Sequence, residues 1–488
     1  MKACHHIEPR ARGPVHRAAR TIMQATRPLW LKCSGLLFRI AAGHFRPGRL
    51  RAWVRVCAGG WLRIGDPRIE RLWDEVSFVL RHHALLRERM TAGRGRRVLF
   101  AGQAYYNAWY LSRCLRELGW RADVLNWDLN PASQIYYHGE DFRFTSDTPY
   151  DLHRDLAYFL ESLFRYDIFH FSNANGICFG FFLQHEFARR FGEHAEIQLL
   201  KDLGKKIVYA NNGCRDGVSQ SAFSRWGPES VCDICVWKNR HDVCSDERNL
   251  SWGEFRNRVS DYQILLGGNR VDFNAAPTVH EVPEFYCLDP ELWRPDLEIP
   301  AQFRLPQAVP GTVRVYHAVG NVDLRTSERG VNIKSTHVYL PLLRKLESEG
   351  FAIELLSPSN MPNLEVRFIQ AQCDIMLDML TYGWFGATAR EGMMLGKPVV
   401  CFIRPEWLES VRGEIPAYAE ELPIVSATPD SVEAVLRDLI GSPEKRSAIG
   451  RASRGFAVKW HSAEAGARRF DRIYGDLLGL PAEQVGGR

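Results

Sequence analysis

The sequence predicts an α/β protein built from two Rossmann-like domains, in which helices cover both faces of parallel sheets. The chain has 488 residues, which is long for one domain and sufficient for two hydrophobic cores. A strand–helix–strand pattern begins near residue 97, and a second one begins near residue 313. Between them, residues 277–310 contain seven prolines, a density that favours an extended linker. These observations therefore predict two domains joined by this linker.

The predicted boundaries divide the chain into a basic extension over residues 1–95, a first domain over residues 96–300 and a second domain over residues 301–488. The first 100 residues contain 21 lysines and arginines against 6 acidic residues, whereas the net charge of the whole chain is +6. Tryptophans and leucines are interleaved with these arginines, a composition suited to an anionic membrane surface. An extension without a partner fits equally well. No nucleic-acid-binding motif accompanies the charge, so we predict no nucleic-acid partner.

The sequence favours the cytoplasm as the compartment. No run of about 18 or more apolar residues is present, and no signal-peptide cleavage pattern follows the first apolar stretch. We therefore predict a cytoplasmic protein, and the basic extension leaves peripheral association with the inner face of the membrane open. In that compartment the 12 cysteines are expected to be free thiols or metal ligands rather than disulfides.

The first domain opens with a strand over residues 97–102, a helix over residues 108–118 and a strand over residues 122–125. The turn after the first strand holds Gly102 alone, whereas a dinucleotide-binding turn needs three glycines. We therefore predict a Rossmann-like domain that holds no dinucleotide.

Polar residues follow the next strands of this domain. His170 lies near the end of a strand over residues 167–171, just before a polar turn. Three polar residues follow a further strand over residues 202–209: Asn212, Arg215 and Asp216. Because ligands of parallel α/β sheets bind at the carboxyl ends of the strands, these side chains are candidates for lining a cleft. A histidine inside a strand is equally compatible with the core, so both interpretations of His170 remain open.

Four cysteines lie in or next to the polar insertion over residues 213–258: Cys214, Cys232, Cys235 and Cys244. Cys232 and Cys235 have the two-residue spacing that lets both thiolates bind one zinc ion. No second pair with this spacing accompanies them, so a structural zinc and reduced, packed thiols both remain open. We expect no catalytic role for these cysteines, and we expect the insertion to cap the cleft.

The second domain repeats the strand–helix–strand order. Its predicted elements are a strand over 313–317 ending at His317, a helix over 336–349, a strand over 351–356, and terminal helices over 431–440, 443–457 and 463–478. Three cations lie in the loop before the first of these helices: Arg325, Arg329 and Lys334. We expect the last two helices to cross between the domains.

The stretch over residues 374–400 is the most informative part of the chain. A strand ends near Asp378, a glycine-rich turn runs from Gly383 to Gly386, a helix follows to residue 394, and a second apolar strand begins at Val399. Free backbone N–H groups and the helix dipole favour phosphate at such a helix start. The turn is therefore a predicted cradle for a nucleotide.

The motifs of the second domain occur together in a characteristic order. They are His317, Ile333–Thr336, Asp374–Asp378, Gly383-x-x-Gly386, Glu391–Met393 and Gly396–Val399. In this order they resemble the motifs of nucleotide-sugar glycosyltransferases with the GT-B fold, specifically family four of that class. The resemblance covers roughly residues 97–478 and implies two Rossmann-like domains that face an interdomain cleft.

The resemblance also implies roles for individual residues. Lys334, with Arg325 or Arg329, would stabilise the charge on the departing diphosphate, as cationic donors do. Glu391 would accept hydrogen bonds from the ribose hydroxyls. The other implied donor-side residues are His317, Asp378, Gly383 and Gly386, and the implied residues near the acceptor are His170, as a catalytic candidate, Asn212, Arg215 and Asp216.

Two positions depart from the family pattern. Gly383 lies eight positions before Glu391, where the family usually has a glutamate near the donor sugar. Whether Asp378 replaces that acid stays open. Ser335 stands where the family commonly has glycine.

The resemblance thus implies a glycosyltransferase of the hexosyl type that retains the configuration of the sugar and requires no cofactor for catalysis. Its donor would be a nucleotide diphosphate-sugar, and its acceptor a saccharide or lipid-linked saccharide in cell-surface glycan synthesis. Two alternatives remain open. One is a non-catalytic GT-B partner protein that binds a nucleotide or glycan, and the other is an epimerase or hydrolase of nucleotide sugars.

Overall fold

The computed structural model describes residues 67–480 except for short gaps at 103–104, 129, 146–148, 173–175, 212, 215, 227–229, 239, 266–269, 321–324 and 328–329. The predicted site residues Asn212, Arg215 and Arg329 lie outside the described residues, as does the basic extension up to residue 66. All described strands lie in one compact unit that runs over Pro67–Ser146 and Tyr150–Arg488.

The first sheet has seven parallel strands in the order β3-β2-β1-β4-β5-β6-β7. The chain moves outward from β1 to β3 and then returns to the other side of β1, which makes the sheet doubly wound. Its strands are β1 Arg97–Ala101, β2 Arg121–Asn126, β3 Phe142–Arg143, β4 Ile168–Phe171, β5 Lys206–Ala210, β6 Tyr262–Leu265 and β7 Val279–Glu281.

The second sheet has four parallel strands in the order β11-β10-β8-β9, so it also reverses direction, between β8 and β10. Its strands are β8 Val313–Tyr316, β9 Ile353–Leu356, β10 Ile375–Leu377 and β11 Val399–Val400. Two doubly wound parallel sheets are the architecture that the sequence predicts, and the predicted α/β fold with two Rossmann-like sheets is confirmed.

Helices surround both sheets. In the first half they are α1 Pro67–Ala92, α2 Asn107–Glu117, α3 Pro131–Gln134, α4 Pro149–Arg165, α5 Phe181–Phe191, α6 Ala195–Asp202, α7 Gln220–Ser224 and α8 Asp246–Val259. In the second half they are α9 Thr336–Ser348, α10 Asn363–Gln370, α11 Ala387–Met394, α12 Pro405–Glu414, α13 Pro416–Glu421, α14 Val432–Gly441, α15 Pro443–His461 and α16 Ala463–Leu478. Short 3₁₀ helices occupy Val231–Ile234, Asp272–Ala275, Pro283–Phe285 and Ala301–Phe303.

The strands are buried on both faces because helices cover each side of each sheet. Alternate residues of β1 enter different cores: Val98 and Phe100 enter one cluster, and Leu99 and Ala101 enter another. This explains why the strands consist of nearly continuous apolar runs. The cluster that contains Val98 also includes Met376 of the second sheet. One hydrophobic core therefore links the two sheets and fixes the elements that form the site.

Part of the predicted basic extension is an ordered part of the first half. Helix α1 buries Ile69, Trp73, Val76 and Val79 in the core behind the first sheet. The Trp73 ring packs edge-on against Phe187 of α5 at 5.1 Å. Residues 67–92 therefore pack on the first sheet, although the sequence places them in the extension. Among the described residues, no helix is long and apolar enough to cross a membrane.

The last helix of the chain returns to the first sheet. Helix α16 packs against α2, and Asp471 on α16 accepts hydrogen bonds from Arg96 at 2.5 Å and from the Trp120 indole at 2.7 Å. The hydroxyl of Tyr474 lies 2.6 Å from Nδ1 of His170 in β4. These contacts tie the end of the second half to the strands of the first.

Candidate functional site

A cavity of about 340 Å³ lies where the carboxyl ends of the strands from both sheets meet. Its walls include Tyr105 and Asn107 after β1, Gly213 after β5, Ala318 after β8 and Met379 after β10. The carboxyl ends of parallel strands are where ligands bind in doubly wound sheets, because the chain diverges there and leaves a crevice. Its volume falls in the range of about 300–1,000 Å³ that is usual for small-molecule sites.

The glycine-rich turn opens into this cavity. Gly386 is the residue before helix α11, and the cavity wall includes Gly386, Ala387 and Thr388. The first N–H groups of a helix have no partners within the helix, so they and the helix dipole favour an anion. The structure thus places the predicted phosphate cradle at the cavity.

Lys334 and Asp378 form a buried ion pair beside this turn. The Lys334 ammonium donates to Oδ1 of Asp378, and the backbone N–H of Gly386 donates to Oδ2 at 3.3 Å. Lys334 lines the cavity and Asp378 is 1% exposed. Asp378 therefore acts as the counter-ion that holds the lysine against the helix start. Its two oxygens are engaged by these partners rather than directed to a sugar.

Arg325 lines the cavity and interacts with the first half of the chain. Tyr105 is hydrogen-bonded to Arg325 and raises the pKa of its guanidinium. Tyr105 has a φ of 123°, which is rare for a residue with a side chain and is characteristic of functional positions. Tyr105, in this rare backbone conformation, thus interacts with a cation of the second half.

Glu391 is the only carboxylate among the described residues that line the cavity. It is 2% exposed and accepts three hydrogen bonds, from the Tyr106 hydroxyl at 2.8 Å, from Asn363 at 2.8 Å and from Gln370 at 2.7 Å. Burial, and then the proximity of Glu391, raise the pKa of Tyr106 well above its usual value. An ionised carboxylate has about four lone-pair sites, and these donors fill three of them.

The position of the missing family glutamate is occupied by another group. Gly383 has a φ of 94°, which disfavours any side chain, and a Cβ there would lie 2.7 Å from Nε of Arg404. The Arg404 guanidinium is 3% exposed and stacks over Trp226 at 4.5 Å. A cation therefore fills the space next to Gly383, while Asp378 is paired with Lys334.

His317 and Ser335 support the site from behind. The His317 ring is buried, hydrogen-bonded to the Thr336 hydroxyl at 2.8 Å, and burial lowers its pKa to about 4. It is absent from the described cavity wall. Ser335 has a φ of 61°, in the left-handed region, which explains why glycine suits this position. Its hydroxyl accepts a hydrogen bond from the backbone N–H of Leu380 at 3.0 Å.

No protein-family model matches the sequence, and no curated protein matches it. Among solved structures, sucrose-phosphate synthase from Thermosynechococcus elongatus has 13% sequence identity and a TM-score of 0.48, with 79% of this chain and 100% of that chain covered. A glycosyltransferase from Rickettsia africae has 12% identity and a TM-score of 0.47, with coverages of 79% and 99%. HepE from Anabaena in complex with UDP has 13% identity and a TM-score of 0.45, with coverages of 78% and 99%. At TM-scores below 0.5, these similarities establish neither the fold nor the function of this chain.

His170 lies in the core rather than at the cavity. Its ring is fully buried, stacks on Phe285 at 4.8 Å and lies 5.7 Å from Phe470 of α16. Burial lowers its pKa to about 3, so the imidazole is neutral at physiological pH. The core interpretation of this histidine fits the structure, because α16 covers the strand end that the sequence leaves open.

Asp216 is engaged within the first half. Its carboxylate accepts hydrogen bonds from the Tyr209 hydroxyl at 2.8 Å and from the Trp252 indole at 2.5 Å. It is 7% exposed and is absent from the described cavity wall. The structure therefore gives Asp216 a role in holding the insertion to β5, while the neighbouring Gly213 lines the cavity.

The four cysteines of the insertion do not form a metal site in the described part of the chain. No group of three or more histidine, cysteine, aspartate or glutamate side chains there is arranged to hold a metal ion. Burial raises the pKa of Cys214 to about 12 and that of Cys232 to about 11, which favours protonated thiols. The described arrangement fits reduced, packed cysteines. Zinc displaces thiol protons when it binds, so these pKa shifts describe the metal-free thiols and the structural zinc stays a prediction. Cys235 and Trp237 line the cavity, so the insertion caps it as expected.

Three tyrosines of the site are not among the residues predicted from the sequence. Tyr105, Tyr106 and Tyr136 come from the first half and reach residues of the second half. The Tyr136 hydroxyl lies against Gly320, where it leaves no room for a side chain. Tyr105 and Tyr106 directly follow the turn after β1, so their place at a strand end was a usable signal. Tyr136 follows no recognisable motif.

Proposed function

We propose that this protein is a glycosyltransferase that uses a nucleoside diphosphate-sugar donor bound in the cavity between the two sheets. One observation carries the proposal. A single cavity combines a helix N-terminus at Gly386, the cations Lys334 and Arg325, and the carboxylate Glu391. Each matches one part of a sugar nucleotide: the helix start and cations suit a diphosphate, and the carboxylate suits ribose hydroxyls.

The diphosphate is the leaving group in this proposal. As the bond to the sugar breaks, negative charge grows on the terminal phosphate, and preorganised cations lower the energy of that state. Lys334 is held in place by Asp378, and Arg325 is held by Tyr105, so neither cation has to reorganise. In this proposal both cations are therefore preorganised to stabilise the transition state, unlike mobile charges on the surface.

The ribose would bind through Glu391. Its three protein donors fix the carboxylate in one orientation and leave about one acceptor site for a hydroxyl. The aromatic side chains Tyr316, Tyr382 and Trp384 in the same wall offer apolar faces to the rest of the donor.

A retaining, metal-independent transfer fits this composition. An inverting enzyme needs a carboxylate or other base facing the acceptor hydroxyl. Among the described cavity residues the single carboxylate is Glu391, which this proposal assigns to the ribose. The acceptor is proposed to be a saccharide or lipid-linked saccharide of the cell surface, since the basic extension suits an anionic membrane.

A donor screen tests the proposal. Purified protein is heated with UDP-, GDP- and ADP-sugars, and the melting temperature is compared with that of the protein alone. One nucleotide class should raise the melting temperature in a concentration-dependent way, because a ligand that binds only the folded state stabilises it. Protein that is folded yet shows no shift and no nucleotide release with any donor would refute the proposal.

A second candidate is a nucleotide- or glycan-binding protein without transferase activity. The observation that favours it is the replacement of an acid by Gly383, with Arg404 filling the adjacent space. The two candidates differ in one result. Saturable donor binding without transfer to any acceptor in a cell extract supports the binding protein, whereas acceptor-dependent nucleotide release supports the enzyme.

A further inference from the structure

Arg390 is a buried cation in the cavity wall to which the proposed donor scheme gives no partner. It lies on α11 directly before Glu391 and is 5% exposed. Its guanidinium stacks over the Tyr286 ring at 5.1 Å. Its Nε has no hydrogen-bond partner, and no carboxylate pairs with it, among the described residues. Burying a guanidinium without a counter-ion is costly, so its retention at a cavity needs a reason.

The other charges of the cavity are accounted for. Among the described wall residues there are three cations, Lys334, Arg325 and Arg390, and one carboxylate, Glu391. Asp378 neutralises Lys334, and neutral donors occupy Glu391. If Lys334 and Arg325 bind the diphosphate, as the proposed function states, Arg390 is the one cation of the described wall to which that scheme gives no partner.

Arg390 lies next to residues of the first half of the chain. The Tyr286 ring beneath it donates its hydroxyl hydrogen to the carbonyl of Asn211, at the end of β5, at 2.7 Å. Arg390 also lines a neighbouring cavity of about 30 Å³, whose described wall contains one carboxylate, Glu281. Burial raises the pKa of Glu281 to about 7, so this carboxylate is partly protonated near neutral pH. It is a poor counter-ion for Arg390.

We propose that Arg390 binds an anionic group of the substrate, a carboxylate on a sugar, in addition to the diphosphate. A guanidinium on an aromatic face presents a planar fork of N–H donors, which matches a carboxylate in a bidentate manner. Arg404, also buried and stacked on an aromatic ring, adds positive potential on the Gly383 side. The proposal rests on the proposed function, and it specifies an acidic sugar as substrate. The carboxylate can belong to the donor sugar or to the acceptor.

Calorimetric titration with matched donors tests the donor source. The probes are UDP, UDP-glucose and UDP-glucuronate, with GDP, GDP-mannose and GDP-mannuronate as the second set. Wild-type protein should bind the uronate member of one set at least about tenfold more tightly than the neutral member. Arg390→Met should abolish this preference and leave the affinity for the free nucleoside diphosphate within about twofold. Arg412→Met, an exposed arginine on α12, is the matched control and should keep the preference.

A second arm tests the acceptor source. If wild-type protein prefers a neutral donor, nucleotide release is measured with oligosaccharide acceptors that end in glucuronate or in glucose. The acidic acceptor should have the lower KM, and Arg390→Met should raise that KM without changing the KM for the neutral acceptor. Arg390→Lys keeps the charge without the fork and should lose most of the preference, which covers the case in which Arg390→Met does not fold.

The outcomes separate the two proposals. Absence of binding to every nucleotide and sugar nucleotide refutes the proposed function. Donor binding or turnover that is equally strong for acidic and neutral sugars in both arms, or a preference that Arg390→Met and Arg390→Lys leave unchanged, refutes the role of Arg390 and leaves the proposed function standing.

Discussion

At the scale of single residues, Glu391 connects the two halves of the chain and the proposed nucleotide site. We expect Glu391→Gln to weaken binding of the preferred nucleoside diphosphate about tenfold or more, because a hydrogen bond to a charged acceptor contributes about 1.5–3 kcal/mol. Calorimetric titration measures the change. Glu365→Gln is the matched control, since this exposed carboxylate on α10 lies outside the described cavity wall. It should bind as tightly as the wild type, and unchanged affinity in Glu391→Gln would contradict the ribose role.

Glu196 predicts a pH dependence of stability that is independent of the site. It lies fully buried in α6, and burial raises its pKa to about 7 from an ordinary value of 4.5. The folded state therefore holds a proton that the unfolded state releases, so this contribution to stability is complete below pH 4.5 and is lost as pH rises through 7. Relative to wild type, Glu196→Gln should gain urea resistance between pH 5 and pH 8. The exposed Glu193→Gln is the control, and parallel pH profiles for all three proteins would contradict the assignment.

Residues that lie in local motifs could be predicted from the sequence, and residues that act across the cleft could not. Gly386 and Lys334 follow strand ends and precede helix starts, so periodicity and turn chemistry locate them at the cavity. Tyr106 reaches Glu391 over a separation of 285 residues, which no local pattern encodes. His170 also lies near a strand end, but α16 covers it. The sequence does not reveal this packing, because α16 lies about 300 residues further along the chain.

At the scale of elements, the close packing of α15 on the end of α11 makes a direct prediction. A Cβ at Gly450 would overlap the carbonyl oxygen of Gly396, whereas a Cβ at Gly455 on the same helix meets nothing within 4 Å. Gly450→Ala should therefore destabilise the protein by about 1–3 kcal/mol, because backbone has to move. Gly455→Ala should stabilise it by up to about 1 kcal/mol through helix propensity. Denaturant unfolding measures both, and equal effects of the two substitutions would contradict the packing.

Elements with strong periodicity were predictable, and short or covered ones were not. The helix predicted over residues 463–478 has those bounds in the structure, and the unit over residues 374–403 has the predicted strand, turn and helix order. The edge strands Phe142–Arg143 and Val279–Glu281 are two and three residues long, too short to show an alternating pattern. Helix α1 lies in a stretch rich in arginine, and its few apolar positions do not stand out from the basic extension before it.

At the scale of the whole molecule, the two-sheet architecture follows from the sequence because each half repeats the strand–helix order and a proline-rich linker separates them. The way in which the two halves contact each other does not follow from the sequence. That arrangement depends on contacts such as the backbone hydrogen bond of 2.8 Å from Asn363 to Ile135, which joins the second half to the first beside the cavity. The sequence therefore predicts the cleft, and the structure supplies its dimensions.

The basic extension gives a prediction for the whole chain. Removing residues 1–66 should preserve the nucleotide-induced rise in melting temperature, because every described residue of the cavity wall lies at or after Tyr105. The truncation stops before helix α1, whose buried side chains belong to the first core. Binding to vesicles of phosphatidylserine and phosphatidylcholine should fall, since the segment carries most of the excess positive charge. Equal vesicle binding by the two proteins would contradict membrane association.

The most direct test of the central claim is nucleotide release from the preferred sugar nucleotide in the presence of a lipid-linked saccharide fraction. The comparison is between wild type and a double variant, Lys334→Met with Asp378→Asn, which removes both partners of the buried ion pair and so leaves no unpaired charge. We expect acceptor-dependent release by the wild type and a rate at least about 100-fold lower in the folded double variant, because a preorganised cation at the leaving group is lost. Release by the double variant at the wild-type rate, or none from any donor by folded wild-type protein, would contradict the account.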